Sequence, residues 1–346
     1  MRHPRRHLPR RLGIALLLLA AVAYGEPITP LEAVHLAEGH ALGLAVAQAT
    51  LGEIDGSPVY QVAGRVGETP YQVVVDASVA RVLEVRRAGE QVYAWGGVTV
   101  VAHRGALRWA PENTICAFEK AIELGAHLIE IDVRQTKDGH LVLMHSSRVD
   151  HTTDGTGRVA DLTLARIKKL DAGSWFAAEF AGEHVPTLDE ALDAMAGRAL
   201  PDIDFKEGDA EKLVAVLRQH GLLGKVTVFC RHWQLLHDVL DLTSAVYARP
   251  SSHGGRLGLA KVIDEFDPPI ININWPVVTE EFIRDVHMAG KKAFVNVLGA
   301  QENEYALAAA VDAGADYIQC DRLDVLVPLL KRRGIYAPVP EAAASR

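Results

Sequence analysis

The chain has no dense cluster of basic residues beyond its first turns, few cysteines and no apolar run long enough to cross a bilayer. Each scarcity removes a class of function. The formal net charge is −8 over 346 residues, and the one dense basic run is Arg2 to Arg11. A nucleic-acid or anionic-membrane binder would need a clustered basic surface that the remaining sequence does not supply. The apolar segment Leu12 to Ala23 has about 12 residues where ~20 are needed to span a membrane, so no stable span is expected. It follows five arginines and two histidines and ends in Ala21-Val22-Ala23, the pattern of a secretory signal. Residues 1–25 are therefore expected to be a signal peptide and the mature protein to be exported, periplasmic or secreted. No cysteine follows the apolar segment, which excludes a lipid-modified N-terminal cysteine. Cys116, Cys230 and Cys320 are odd in number and lie in apolar patterns, so buried free thiols are expected.

What is present has the composition of an ordinary folded protein, 49% hydrophobic and 23% charged, at a length that suggests a large domain with a smaller companion. Ile28 to Leu44 has a helical period, with Thr29 as cap and Pro30 in the first turn. Three strand-like runs follow, Ala45 to Glu53, Pro58 to Val66 and Pro70 to Arg87. They are broken by the turn sequences Asp55-Gly56-Ser57 and Gly67-Glu68-Thr69-Pro70. The expected product is a helix on a small antiparallel sheet, residues 26–93, with Gly89 to Gly97 as connector. Val59, Tyr60 and Val62 in one strand, and Val75, Asp76, Ala77, Val82 and Leu83 in another, make this segment resemble a PepSY domain. That resemblance implies an interaction or regulatory module with a protein partner; the plainer alternative is a packing accessory.

From Val98 to Gly334, apolar strand-like runs alternate with helical patterns such as Thr114 to Leu124, Glu211 to His220, Glu280 to Ala289 and Glu304 to Ala313. Alternation over about 235 residues predicts an α/β fold, a (β/α)8 TIM barrel spanning 98–334. The strand candidates number nine, one too many. Lys137-Asp138-Gly139-His140 accounts for the surplus, because an Asp-Gly loop closes a hairpin and a parallel connection needs a dozen or more residues. One of the two strands flanking it is then an excursion at the barrel mouth. If the loop has two residues and Lys137 faces His140, Asp132 faces His145, with Cβ atoms ~5 Å apart. Glu130 shares that face by strand alternation.

Active sites on such barrels lie at the C-terminal ends of the strands. His103 and Arg104 stand just after the first strand, and Asp202, Asp204 and Lys206 alternate along another, pointing to one side. Inward charge is costly without compensation. Glu130, Asp132 and Asp204 together make an all-oxygen site suited to calcium or magnesium rather than zinc or iron. The plainer alternative is a buried salt-bridge cluster of these acids with Arg104 and Lys206. A divalent cation beside an arginine and a lysine is a place for a phosphate, and His103 and His145 are suited to acid/base work. Trp109, Trp175, Phe176 and Trp275 are candidates for an apolar wall near the mouth, and Asn272 and Asn274 for inward-facing strand positions.

These elements occur in a fixed order: His103-Arg104-Gly105, Pro111-Glu112-Asn113-Thr114, Glu130-Ile131-Asp132, Thr136-Lys137-Asp138-Gly139, His145, Thr152-Thr153, Gly157-Arg158-Val159, Val185-Pro186-Thr187-Leu188-Asp189-Glu190, Asp204-Phe205-Lys206 and Gly314-Ala315-Asp316. The order resembles that of the glycerophosphodiester phosphodiesterase family across the whole C-terminal domain. The resemblance implies metal-dependent hydrolysis of a small-molecule glycerophosphodiester to glycerol 3-phosphate and an alcohol. It implies His103 and His145 as the acid/base pair and Arg104 and Lys206 as phosphate contacts. Glu130, Asp132 and Asp204 would be metal ligands, with Glu112 in support. The chain departs from the family pattern at Ser146, where the family has aspartate after the histidine, and at His151, where it has arginine. Asp204 stands for the usual glutamate, and Cys320-Asp321 for Thr-Asp. Two other readings use the same residues: a phosphodiesterase of lysophospholipase D or sphingomyelinase D type, and a non-catalytic periplasmic binder of a phosphate ligand or a protein.

Overall fold

The computed structural model describes residues 27–40, 44–54, 56–78, 80–87, 90–94, 97–275 and 277–337. The expected signal peptide lies outside them. The chain divides into two units, one holding the residues up to Trp95 with Thr279–Lys291, the other holding Gly96–Val278 and the residues from Lys292 onward.

The first unit opens on a reciprocal cap. Thr29 N donates to Glu32 Oε2 at 2.6 Å and Glu32 N to Thr29 Oγ1 at 3.3 Å, which satisfies two of the free donors at the start of a helix. Helix α1, Pro30–His40, lies in one apolar cluster with a five-stranded antiparallel meander. The strands are β1 Ala45–Ile54, β2 Ser57–Val66, β3 Thr69–Asp76, β4 Arg81–Arg87 and β5 Glu90–Ala94. Two sequence expectations are corrected here. The run Pro70 to Arg87 is two strands, because the Asp76 carboxylate takes the Ser78 N–H at 2.8 Å and the Ser78 hydroxyl at 2.6 Å and starts a turn. Strand β5 stands where a connector was expected; it completes its hydrogen bonding on β4.

In the second unit the strands are β6 Thr99–Ala102, β7 Leu128–Gln135, β8 Leu141–Leu143, β9 Leu200–Phe205, β10 Thr227–Phe229, β11 Tyr247–Ala248, β12 Ile270–Asn274, β13 Lys292–Val297 and β14 Tyr317–Cys320. All but β8 form a parallel path in the order β11-β10-β9-β7-β6-β14-β13-β12. The ring closes where Asn272 N donates to Pro250 O at 3.0 Å and Ser252 N to Asn272 O at 3.1 Å. The fold is a TIM barrel. The four helices singled out in the sequence appear within one residue of each expected end, as Ile115–Glu123, Ala210–Gln219, Glu280–Met288 and Glu304–Asp312. Among the described residues no helix is long and apolar enough to cross a membrane.

Strand β8 is the excursion, antiparallel to β7, but its register differs from the expected one by a residue. Val133 faces Leu143 and Gln135 faces Leu141, and the loop holds three residues, Lys137-Asp138-Gly139. Asp138 Oδ1 accepts from Thr136 Oγ1 at 2.7 Å and Leu164 N at 2.9 Å, and Gly139 takes φ +85°. Such a turn ends with glycine in the left-handed region, whereas a two-residue loop would need another geometry. Met144, not His145, therefore faces Asp132.

The barrel interior carries a buried ion pair. Arg249 Nε and Nη2 donate to the two oxygens of Asp202 at 2.7 Å each, Nη1 donates to Asn272 Oδ1 at 2.7 Å, and the guanidinium lies 4.3 Å from the Phe294 ring centroid. Asp202 and Asn272 do point inward, and Asp202 is matched there by Arg249. Asn274 is exposed, its amide oxygen accepting from Asn296.

His127, fully buried, ties the segment after the last barrel helix to the barrel: Val100 N donates to its Nδ1 at 2.8 Å and its Nε2 donates to Ala337 O at 2.8 Å. Burial lowers its pKa to about 4. The folded state thus prefers the neutral ring, and the stability this contributes is complete above the unfolded-state pKa of about 6.5 and lost as pH falls toward 4. On going from pH 7.5 to pH 5, His127 should account for about 2 kcal/mol of lost stability. Urea unfolding of wild type and His127→Gln at both pH values measures this, and equal losses in the two proteins would refute it.

Candidate active site

The turn after β6 is tight and left-handed. Arg104 has φ +53° and Gly105 φ +83°, and a Cβ on Gly105 would come within 2.9 Å of the Ala117 carbonyl carbon, so only glycine fits. A non-glycine residue in this region costs about 1–2 kcal/mol. What the strain achieves is direction: Arg104 N donates to Glu130 Oε2 at 2.9 Å while the side chain turns toward two other acids. Its Nη1 donates to Glu112 at 3.1 and 2.9 Å, and its Nε lies 3.4 Å from Asp132 Oδ2.

Strands β7 and β9 bring three carboxylates together, with Asp132 beside Asp204 in their parallel register. One oxygen from each of Glu130, Asp132 and Asp204 falls within 4.8 Å of the others, and all three residues are buried. Lys206 Nζ is 2.9 Å from Asp132 Oδ1 and also bonded to Asp204 Oδ2. Asn113, at φ +57°, donates from Nδ2 to Asp132 Oδ2 at 2.7 Å and accepts the Asp132 N–H at 3.1 Å.

Burial pushes Glu130 well above the ordinary carboxylate range, and Asp132 and Asp204 push it further. Asp204 is raised by burial, against the pull of Lys206. For Asp132 burial is outweighed by Lys206, Arg104, His145 and the Asn113 amide together, which hold it low. Two cations against three acids leave the cluster short of positive charge, and Asp204 Oδ1 is buried with no hydrogen-bond partner among the described residues. An all-oxygen set with an orphaned carboxylate oxygen fits a calcium or magnesium ion. The plainer alternative, a salt-bridge cluster, is complete for Asp202 with Arg249, whereas here the pairs with Arg104 and Lys206 still leave Asp204 Oδ1 without a partner among the described residues.

The two histidines flank the cluster by different means. His103 Nδ1 donates to Asp321 Oδ1 at 2.7 Å, across the seam between β6 and β14. His145 is placed through its backbone: Arg134 Nη2 donates to its carbonyl at 2.8 Å, and Arg134 Nη1 is held by Glu207 at 2.8 Å. Burial lowers the His145 pKa to about 4, with the pull of Asp132 opposed by Arg104, Lys206 and His103. The Oγ of its neighbour Ser146 accepts from Arg148 N at 3.2 Å.

All eight residues expected from the sequence thus lie in or beside one constellation. Asp321, Asn113 and Arg134 were given no role there. Asp321 was legible as the residue ending the last strand, which a closed barrel places next to the first. Arg134 continues the alternation of Glu130 and Asp132. Of the aromatic residues, Trp109 lines a surface groove with Phe180, and Trp175, Phe176 and Phe180 pack edge to face on one another.

Residues 103–223 match the glycerophosphoryl diester phosphodiesterase family. A glycerophosphodiester phosphodiesterase of Caldanaerobacter subterraneus subsp. tengcongensis is 34% identical over 247 residues, 68% of this chain and 98% of that protein. The chain belongs to the glycerophosphoryl diester phosphodiesterase family. Another glycerophosphodiester phosphodiesterase, from Bacillus subtilis, is 46% identical over 141 residues, 37% of this chain and 48% of its own length. Among solved structures, a glycerophosphodiester phosphodiesterase from Agrobacterium tumefaciens superposes with a TM-score of 0.60 at 32% identity, covering 66% of this chain and 99% of that one. An Oleispira antarctica phosphodiesterase in complex with the product sn-glycerol-3-phosphate shares the fold, with a TM-score of 0.62 at 24% identity over 68% of this chain and 97% of that one. The family match takes in His103, Arg104, Glu112, Glu130, Asp132, His145, Asp204 and Lys206, and none of the first unit's N-terminal residues. Asp321 lies beyond it.

Proposed function

We propose that this enzyme hydrolyses glycerophosphodiesters to glycerol 3-phosphate and an alcohol, with His103 and His145 as acid and base beside a divalent-cation site. The observation that carries the reading is the placing of two differently held imidazoles around one cluster of acids and cations. A calcium or magnesium ion on Glu130, Asp132 and Asp204 would supply Lewis-acid stabilisation of charge on the phosphoryl oxygens. Arg104 and Lys206 bind the same oxygens. His145, neutral at pH 7 because burial lowers its pKa to about 4, is available to take the proton from the attacking oxygen. His103, with Nδ1–H committed to Asp321, presents Nε2 to the leaving alkoxide and, as the imidazolium with both ring nitrogens protonated, donates the Nε2 proton there. Glu112 fixes the Arg104 guanidinium by a two-oxygen contact.

Incubating the purified protein with calcium or magnesium and glycerophosphocholine or glycerophosphoethanolamine should release glycerol 3-phosphate, measured by an enzyme-coupled assay. Lysophosphatidate or ceramide phosphate from lipid substrates, with no glycerol 3-phosphate from head-group diesters, would give the substrate to the lysophospholipase D or sphingomyelinase D reading. We also hold to export, on the basic and apolar pattern of residues 1–25. The N-terminal unit is read as a PepSY-like module that takes a protein partner, on its helix-and-meander pattern.

A further inference from the structure

We propose that Glu302 is a positioning residue for the reaction: its carboxylate fixes the backbone that carries Asp321, and Asp321 orients His103. Glu302 follows the short turn Gly299–Gln301 that leaves β13. Its Oε1 accepts two N–H groups at once, Asp321 N at 2.8 Å and Arg322 N at 2.6 Å. One carboxylate oxygen of this loop therefore grips the backbone at both Asp321 and Arg322. Asp321 Oδ1 is then set 2.7 Å from His103 Nδ1.

A helix start needs such acceptors, but this one obtains them in an expensive way. Arg322 precedes the helix Leu323–Arg332 and gives no side-chain cap; a serine or aspartate there would serve the helix alone. Instead the acceptor comes from a neighbouring loop and stands, half-buried, close to another carboxylate. Burial and then Asp321 raise the Glu302 pKa to about 7, with Arg108 opposing. The other groups that feel it are Cys320 and Arg322, both on the Asp321 segment. Two acids kept this close cost stability, and the return is a fixed Asp321 whose hydrogen bond to Nδ1–H holds the His103 ring with Nε2 facing the reaction.

The inference rests on His103 belonging to the acid/base pair, and the test separates the two ideas. Glu302→Gln keeps the oxygen in place without its charge; Glu302→Asp keeps the charge and withdraws the oxygen by one methylene; Glu302→Ala removes both. With glycerophosphocholine and magnesium or calcium, Glu302→Ala and Glu302→Asp should lower kcat by about tenfold or more, the scale on which misplacing a catalytic group acts, with KM within about threefold. Glu302→Gln should stay within about threefold of wild type in both constants. Proton NMR of the His103 Nδ1–H, assigned by its loss in His103→Ala, should show the resonance kept in Glu302→Gln and shifted or broadened in Glu302→Asp. The proposal is overturned if Glu302→Gln falls as far as Glu302→Asp, if the loss is confined to KM, or if the resonance is the same in all variants. Should Glu302→Ala not fold, the Asp and Gln variants decide alone. If wild type does not turn over the substrate, the substrate reading fails, and the resonance still decides the role of Glu302.

Discussion

Replacing His145 with alanine is expected to lower kcat by about 10²–10⁴-fold, the contribution of a positioned general acid or base. The imidazole lies within the electrostatic reach of Asp132, Arg104, Lys206 and His103, and its main chain is anchored by the Arg134–Glu207 pair, so the substitution removes the ring and leaves the scaffold. His103→Ala should fall in the same range. The double variant should be little worse than either, because an acid and a base that act as a unit in one reaction are not additive. The pH profile gives an independent check. Protonating His145 removes the base, so activity is lost as pH falls through about 4 rather than through about 6.5, the value of a free imidazole. A His145→Ala enzyme that keeps more than about a tenth of wild-type kcat would sink the assignment.

The second large effect is on the cation. Treating the protein with a chelator is expected to cut activity by about 10²-fold or more, and adding calcium or magnesium back should restore it. The physical basis is the crowding of Glu130, Asp132 and Asp204 within 4.8 Å, where burial and two neighbouring acids keep Glu130 well above its ordinary range. A divalent ion reverses that preference, so binding at pH 7 should release up to about one proton. Calorimetry in buffers of different ionisation enthalpy counts it. An ion present at about 100 times its dissociation constant should also add about 2.7 kcal/mol of stability, an effect that Asp204→Asn should weaken. Chelator-insensitive activity together with no proton release would falsify the cation site.

Most of the barrel, and the gathering of the eight expected residues at one end of it, could be read from the sequence, because both depend on local patterns: strands that end on polar residues and helices expected to begin at Thr114, Glu211, Glu280 and Glu304. Failures came where one residue of geometry matters. The loop at Asp138-Gly139 has the composition of a two-residue hairpin, yet the Asp138 carboxylate draws Thr136 and Leu164 into a three-residue turn. The expected pairing of Asp132 with His145 was therefore wrong by one place. His145 still reaches the site because the chain leaves strand geometry after Leu143. Asp202 shows the converse: alternation placed it inward correctly, but only the folded chain reveals Arg249, 47 positions away, as its partner. Strand β5 was missed because Glu90–Ala94 is short and its pairing on β4 is set by the sheet.

The hydrogen bond between His103 and Asp321 joins residues 218 positions apart, from the first and last strands of the barrel. A ribosome-bound chain lacking its final strand would hold Arg104 and all three carboxylates with no group to orient His103. On the proposed mechanism, His103 is therefore oriented only once the last strand has paired with the first, after nearly the whole chain has been made. A protease cut that removed the segment after β13 would silence the enzyme while sparing the family's matched stretch, residues 103–223.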